Sequence, residues 1–166
     1  MRLTTNMPTD PGGLPDLASA RHLEGLGYDA VGMADVIIGD GTPGLDPALV
    51  LAAAASATER IGLEFGVLSL PLRPVAWVAS QVQTLQHLSG GRVVLGVGIG
   101  GFPGSPFWRA VGAPSTGRGA WTDAALRVLP GLIRGEPATI GFDGEQWPDF
   151  VKPLLRGVPV TVDLRE

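Results

Sequence analysis

The sequence predicts an α/β fold, a parallel sheet of about five strands alternating with helices, and three observations carry that expectation. Short apolar runs alternate with segments whose apolar residues recur at helical spacing. Glycine and proline, 25 and 15 among 166 residues, fall mostly between these segments, as turns do. The apolar runs also lack polar alternation, which marks strands covered on both faces.

Arg2 to Met7 is short and extended in character, a candidate first strand, and Pro8 to Pro15 is a loop. Leu17, Ala20 and Leu23 repeat at three-residue spacing, predicting a helix over 16–26, with Gly27 as its terminator. Ala30 to Ala34 reads as a buried strand with Asp35 at its end, followed by a glycine-rich connection over 37–45. Asp46-Pro47 opens the second helix, Asp capping free N–H groups and Pro fitting the first turn, and the helix is expected to reach Thr58.

Ile61 to Leu70 is the third strand, with Gly66 inside it. Val75, Val78, Ala79, Val82 and Leu85 share one helical face, so a helix runs over 74–88 and stops at Ser89-Gly90-Gly91. Arg92 to Val97 is a fourth strand rich in β-branched residues. A long loop is expected over 98–117, then a helix over 118–134 kinked at Pro130. A small hairpin over 136–147 and a fifth strand at Val158 to Val162 complete the series.

Alternation of this kind means parallel strands joined by right-handed crossovers. Two closures fit: an open doubly wound sheet, or part of a (β/α)8 barrel, of which this length is little more than half. Composition narrows the functions. Apolar residues at 45% and charged residues at 17% describe a globular chain. The net charge is −4, Lys152 is the one lysine, and the arginines are scattered singly, so nucleic acid is not an expected partner. The absence of cysteine excludes thiolate metal sites and a cysteine nucleophile. The first residues lack the apolar core of a signal peptide, and Leu49 to Ala57 is too short to span a bilayer. The expected location is the cytoplasm, with no membrane partner.

Gly96-Val97-Gly98-Ile99-Gly100-Gly101 has the form G-x-G-x-x-G after a strand. A dinucleotide site needs a helix to begin at that loop, and Phe102-Pro103-Gly104-Ser105-Pro106 cannot begin one at once. What remains is a strand end whose backbone something can approach closely. Asp35, at another strand's C-terminal end, either lines a ligand site or caps a loop, and Gly66-Val67 marks either a bulge or a packing glycine. His22 and His87 fall on helices, where a lone histidine is ordinarily solvated surface. No His/Asp/Glu cluster has metal spacing. The four tryptophans read as packing residues.

Three stretches together resemble the luciferase-like monooxygenase family of FMN- and F420-dependent oxidoreductases. They are Ala20-Arg21-His22-Leu23-Glu24-Gly25-Leu26-Gly27-Tyr28-Asp29-Ala30-Val31 with Asp35, Leu45-Asp46-Pro47 through Thr58-Glu59-Arg60-Ile61-Gly62-Leu63 to Gly66-Val67, and Gln83-Thr84-Leu85 with Leu88-Ser89-Gly90-Gly91-Arg92 to Gly98. Arg118-Gly119, Leu126 and Gly135-Glu136-Pro137 extend the similarity, which covers about residues 1–147.

The resemblance selects the closure: residues 1–166 as a single domain, the N-terminal half of a TIM (β/α)8 barrel. It implies a reduced flavin-type cofactor, FMN or F420, and a small-molecule substrate undergoing hydride transfer or oxygen insertion. By the same resemblance Asp35 lies beside the cofactor ring. Gly66 and Val67 fall where F420-dependent members carry a non-prolyl cis peptide, and Gly98 and Gly100 line the pocket after strand four. Two positions depart from F420-dependent members: Val36 stands where many carry a histidine, and Gly101 where some carry an acid. Strands six to eight have no counterpart here, so the expectation is a truncated product or a homo-oligomer in which two halves complete one another. The alternative is a non-catalytic half barrel, or decayed remnant, acting only by self-association. A flavodoxin-like binding domain would require an open sheet order.

Overall fold

A computed structural model describes residues 1–36, 44–101, 104, 106–113 and 115–136. The elements run β1 (Thr4–Asn6), α1 (Leu17–Gly25), β2 (Ala30–Met33), α2 (Pro47–Ala57), β3 (Gly62–Ser69), α3 (Val75–Ser89), β4 (Val93–Gly98), α4 (Pro106–Ala110) and α5 (Arg118–Ile133), with a 3-10 turn at Leu70–Leu72. Every strand and helix expected up to residue 134 is present. The loop expected over 98–117 is broken by the five-residue helix α4, which begins at Pro106 because proline fits a first turn. The expected hairpin beyond Glu136, the fifth strand at Val158–Val162 and most of the 37–45 connection lie outside the described residues.

The helix ends follow from local chemistry. At the start of α1, Asp16 accepts from the Ser19 backbone N–H (3.0 Å), and Gly27 ends the turn at φ +85°. At the start of α2, Asp46 accepts from the Leu49 N–H (3.0 Å), with Pro47 in the first turn.

The four strands form one parallel sheet in the order β1-β2-β3-β4. In register, Asn6 pairs with Gly32 and Gly32 with Glu64, while Val31 pairs with Leu63 and Met33 with Phe65. Consecutive order without reversal, each strand reached through a helix, is barrel topology; a doubly wound sheet reverses at its switch point. The fold is that of the N-terminal half of a (β/α)8 barrel.

Two compact units make up the described chain: residues 1–68 with 81–98, and residues 69–80 with those from 99 onward. In the first unit, Leu63 and Phe65 of β3 are buried together with Val31 of β2 and Val50, Leu51, Ala54 and Ala55 of α2, and α1 packs against α2. On the sheet's other face, the Arg2 guanidinium meets the Glu64 carboxylate. In the second unit, the 3-10 turn packs against α5, where Leu70 and Leu72 are buried along with Ala125, Leu129 and Leu132.

Candidate functional site

In parallel α/β folds, ligands gather at the C-terminal ends of the strands, where the loops and the helix N-termini converge. Asp35, half-buried, lies two residues beyond β2. Gly66 and Val67 belong to β3 but follow its last registered pair with β2, Met33 with Phe65. Both are exposed, Val67 by 46%, and the peptide bond joining them is cis. A Cβ added to Gly66 would meet nothing within 4 Å. Gly98 is the last residue of β4. Asp35, Gly66, Val67 and Gly98 thus sit at one end of three adjacent strands of the first unit. Gly100 belongs to the second.

The glycines of β4 make room for the chain itself. A Cβ on Gly98 would lie 2.7 Å from Cγ2 of Val67. One on Gly96 would lie 3.1 Å from Cγ1 of Val67 and 2.2 Å from the Phe65 carbonyl oxygen. Residues two apart share a strand face, so Gly96 and Gly98 form one socket, and Val67 sits in it. The Gly-x-Gly spacing announced this close approach, and what approaches is the neighbouring strand, by the Phe65 carbonyl at Gly96 and the Val67 side chain at both.

Gly100 has a similar neighbour in its own unit. Its φ is +81°, and a Cβ there would lie 2.6 Å from Cη2 of Trp108, which is buried as a packing residue should be. The Arg118 guanidinium lies 5.2 Å from the centroid of that indole, a cation–π distance, and donates to the carbonyl oxygens of Gly100 (3.4 Å) and Gly101. Sequence reasoning saw Arg118 as part of the family resemblance and assigned it no task.

At the opposite end of the strands, the turn from α2 to β3 is held from two sides. Glu24 of α1 accepts from the backbone N–H groups of Glu59 (3.0 Å), Arg60 (2.6 Å) and Ile61 (2.8 Å). Burial raises its pKa, but these three hydrogen bonds, aided by the charge of Arg60, outweigh that pull and hold the carboxyl below its ordinary value. Arg92 donates from Nε to Ser89 O (2.6 Å), from Nη1 to Thr58 Oγ1 and Ile61 O (both 2.9 Å), and from Nη2 to Ala55 O (2.9 Å) and Thr58 O (3.0 Å). All five guanidinium donors are engaged, and a cation at the C-terminus of α2 also suits the helix dipole.

His22 and His87 are exposed on their helices. Among the described residues no group of three His, Asp or Glu side chains could hold a metal ion, and no helix is long and apolar enough to cross a membrane.

An unreversed parallel sheet with open, glycine-bearing strand ends defines a barrel-type scaffold, the class in which ligands gather at those ends. The chain belongs to the luciferase-like monooxygenase family, whose model matches residues 10–162. The 4-hydroxyprotoasukamycin monooxygenase of Streptomyces nodosus subsp. asukaensis is 38% identical over 126 residues, covering 75% of this chain and 33% of that protein. The oxygenating constituent of 3,6-diketocamphane monooxygenase from Pseudomonas putida, solved with FMN, superposes with a TM-score of 0.69 at 22% identity, over 89% of this chain and 43% of that one. An F420-dependent secondary alcohol dehydrogenase, solved with an F420-acetone adduct, superposes at 0.67 with 23% identity, over 89% and 46%. The chain spans about a third to two-fifths of the length of the curated relatives it matches.

Proposed function

We propose that this chain supplies one side of the pocket for a reduced flavin-type cofactor, FMN or F420, in an oxidoreductase acting on a small organic substrate. The observation that carries the reading is the open face at Gly66, with Asp35 on one neighbouring strand and Gly98 on the other. A flat heteroaromatic ring needs a backbone surface free of side chains, and position 66 offers one: a Cβ there would point into open space. When bound, such a ring supplies the hydride or activates the oxygen. The protein's part is to orient it: the Gly66–Val67 backbone backs the ring, Asp35 stands beside it, and Gly98 ends the neighbouring strand. Solved relatives that hold FMN or F420 support the reading.

A second reading, a half barrel that acts only by self-association, draws on apolar exposure: Leu49 is 72% exposed on α2, and Val94 and Val67 are each close to half exposed. Apolar surface left in water favours association.

One experiment separates the two. The full chain is sized by chromatography with light scattering, then titrated with FMN and with F420 by fluorescence. Micromolar binding of either supports the cofactor reading, and Gly66→Ala should then fold as the parent does while weakening binding by tenfold or more. A folded self-associating chain that binds neither favours the second reading. Binding undiminished in Gly66→Ala removes position 66 from the pocket.

A further inference from the structure

The residues at the strand ends divide into those with an open face and those whose open side the chain has already filled. Gly66 is of the first kind and Gly98 of the second. The φ of Gly98 lies outside the left-handed region, so its backbone does not demand glycine. What demands it is Cγ2 of Val67, 2.7 Å from where a Cβ would stand. On that side no ligand approaches, because Val67 is there.

We infer that Gly98 is a positioning residue: it seats the side chain of Val67, and through Val67 sets the exposed backbone of Gly66 against which the cofactor ring rests. The inference rests on the cofactor reading above and deepens it. Valine is stiff about χ1, since two methyls on Cβ leave few rotamers open. Its two methyls lie over two glycines of the adjacent strand, Cγ1 toward Gly96 and Cγ2 toward Gly98. A side chain held at both branches cannot turn without moving its own Cα, and the next residue toward the N-terminus is Gly66. The socket therefore fixes the aim of the open face from behind. A methyl at position 98 would push Val67 off its seat; a leucine or phenylalanine bends aside at its far end, but valine has no far end to bend.

The inference predicts a suppressor. In the full chain, Gly98→Ala should weaken binding of FMN or F420, whichever the parent binds, by tenfold or more. Adding Val67→Ala should restore affinity to within threefold of the parent, because the new methyl at position 98 takes the space that Cγ2 vacates. The thermal midpoint is measured for the parent, for Gly98→Ala and Val67→Ala alone, and for the double variant. A purely structural role would restore the midpoint alone, and a folded double variant that still binds as weakly as Gly98→Ala overturns the inference. So does a Gly98→Ala chain that binds as the parent does. If Gly98→Ala does not fold, the double variant decides: folded and binding supports the inference, folded and not binding overturns it. If the parent binds neither cofactor, the cofactor reading itself fails. The socket is then judged by the midpoints alone: recovery in the double variant upholds it, and additive losses reject it.

Discussion

At the N-terminal ends of the strands, one arginine spends five donors on the oxygens of residues 55, 58, 61 and 89, and one carboxylate takes three consecutive N–H groups. At the C-terminal ends, Gly96 and Gly98 of β4 stand against the methyl groups of Val67. The first end is fastened by hydrogen bonds that saturate the backbone. The second is shaped by sterics, which fixes surfaces without filling them. A barrel-type protein that must hold its sheet together and still receive a ligand assigns the two tasks to opposite ends. The contrast explains why Ser89-Gly90-Gly91-Arg92, part of a stretch that carries the family resemblance, is far from the proposed chemistry: it is a fastening.

Substitutions at the fastened end should therefore move stability and spare the ligand site. Arg92→Ala has the largest expected effect, about 3 kcal/mol in chemical denaturation, because it strands carbonyl oxygens at the end of α2. Cofactor affinity of the folded fraction should stay within about twofold of the parent; a larger loss would mean the two ends are coupled and the contrast is wrong.

Acid should act at the same end. The folded-state pKa of Glu24 is lowered, so its contribution is fully present above the ordinary carboxylate pKa and disappears as pH falls through the lower folded value. Glu24→Gln should cost about 1–2 kcal/mol at neutral pH and flatten the fall in stability between neutral pH and the acid range. Equal slopes for the parent and the variant would show that the carboxylate's charge is not what the turn uses.

The smallest expected change belongs to the second unit. Arg118→Ala removes a cation–π contact and the donors to Gly100 and Gly101, and should cost about 1 kcal/mol with a shift in tryptophan emission. An unchanged spectrum would detach Arg118 from Trp108.

Much of this architecture was legible in the sequence, because the strands and helices here obey local rules. Asp46-Pro47 caps α2 as written, Gly27 takes the positive φ its place demanded, and the 3.6-residue stripe of α3 is buried where it should be. The short helix α4 was hidden by the prolines and glycines around it, which read as loop. The candidate site was legible only as positions. Asp35, Gly66, Val67 and Gly98 are found at adjacent strand ends, yet no periodicity announces that Val67 occupies the space over Gly98, since that depends on which strand lies next to β4. The two-residue spacing of Gly96 and Gly98 was the available signal: it says that one face of a strand is bare, and a bare face implies a neighbour that needs the room. Glu24 and Arg92 gave no signal of their own, because most of their partners are backbone groups more than thirty residues away in the chain.

That last fact has a consequence for how this sequence can drift. The grip on the turn at 58–61 addresses mainly peptide groups, and those are the same whatever residue carries them. Glu59, whose side chain is exposed, can therefore be rewritten freely and Arg60 at the loss of its charge beside Glu24, while Thr58 keeps its hydroxyl for Arg92 and Ile61 its place in the core. The turn's spelling at 59 and 60 is open and its two wardens, Glu24 and Arg92, are not: a mutational scan would find variation tolerated at residues 59 and 60 and costly at the residues that clasp them.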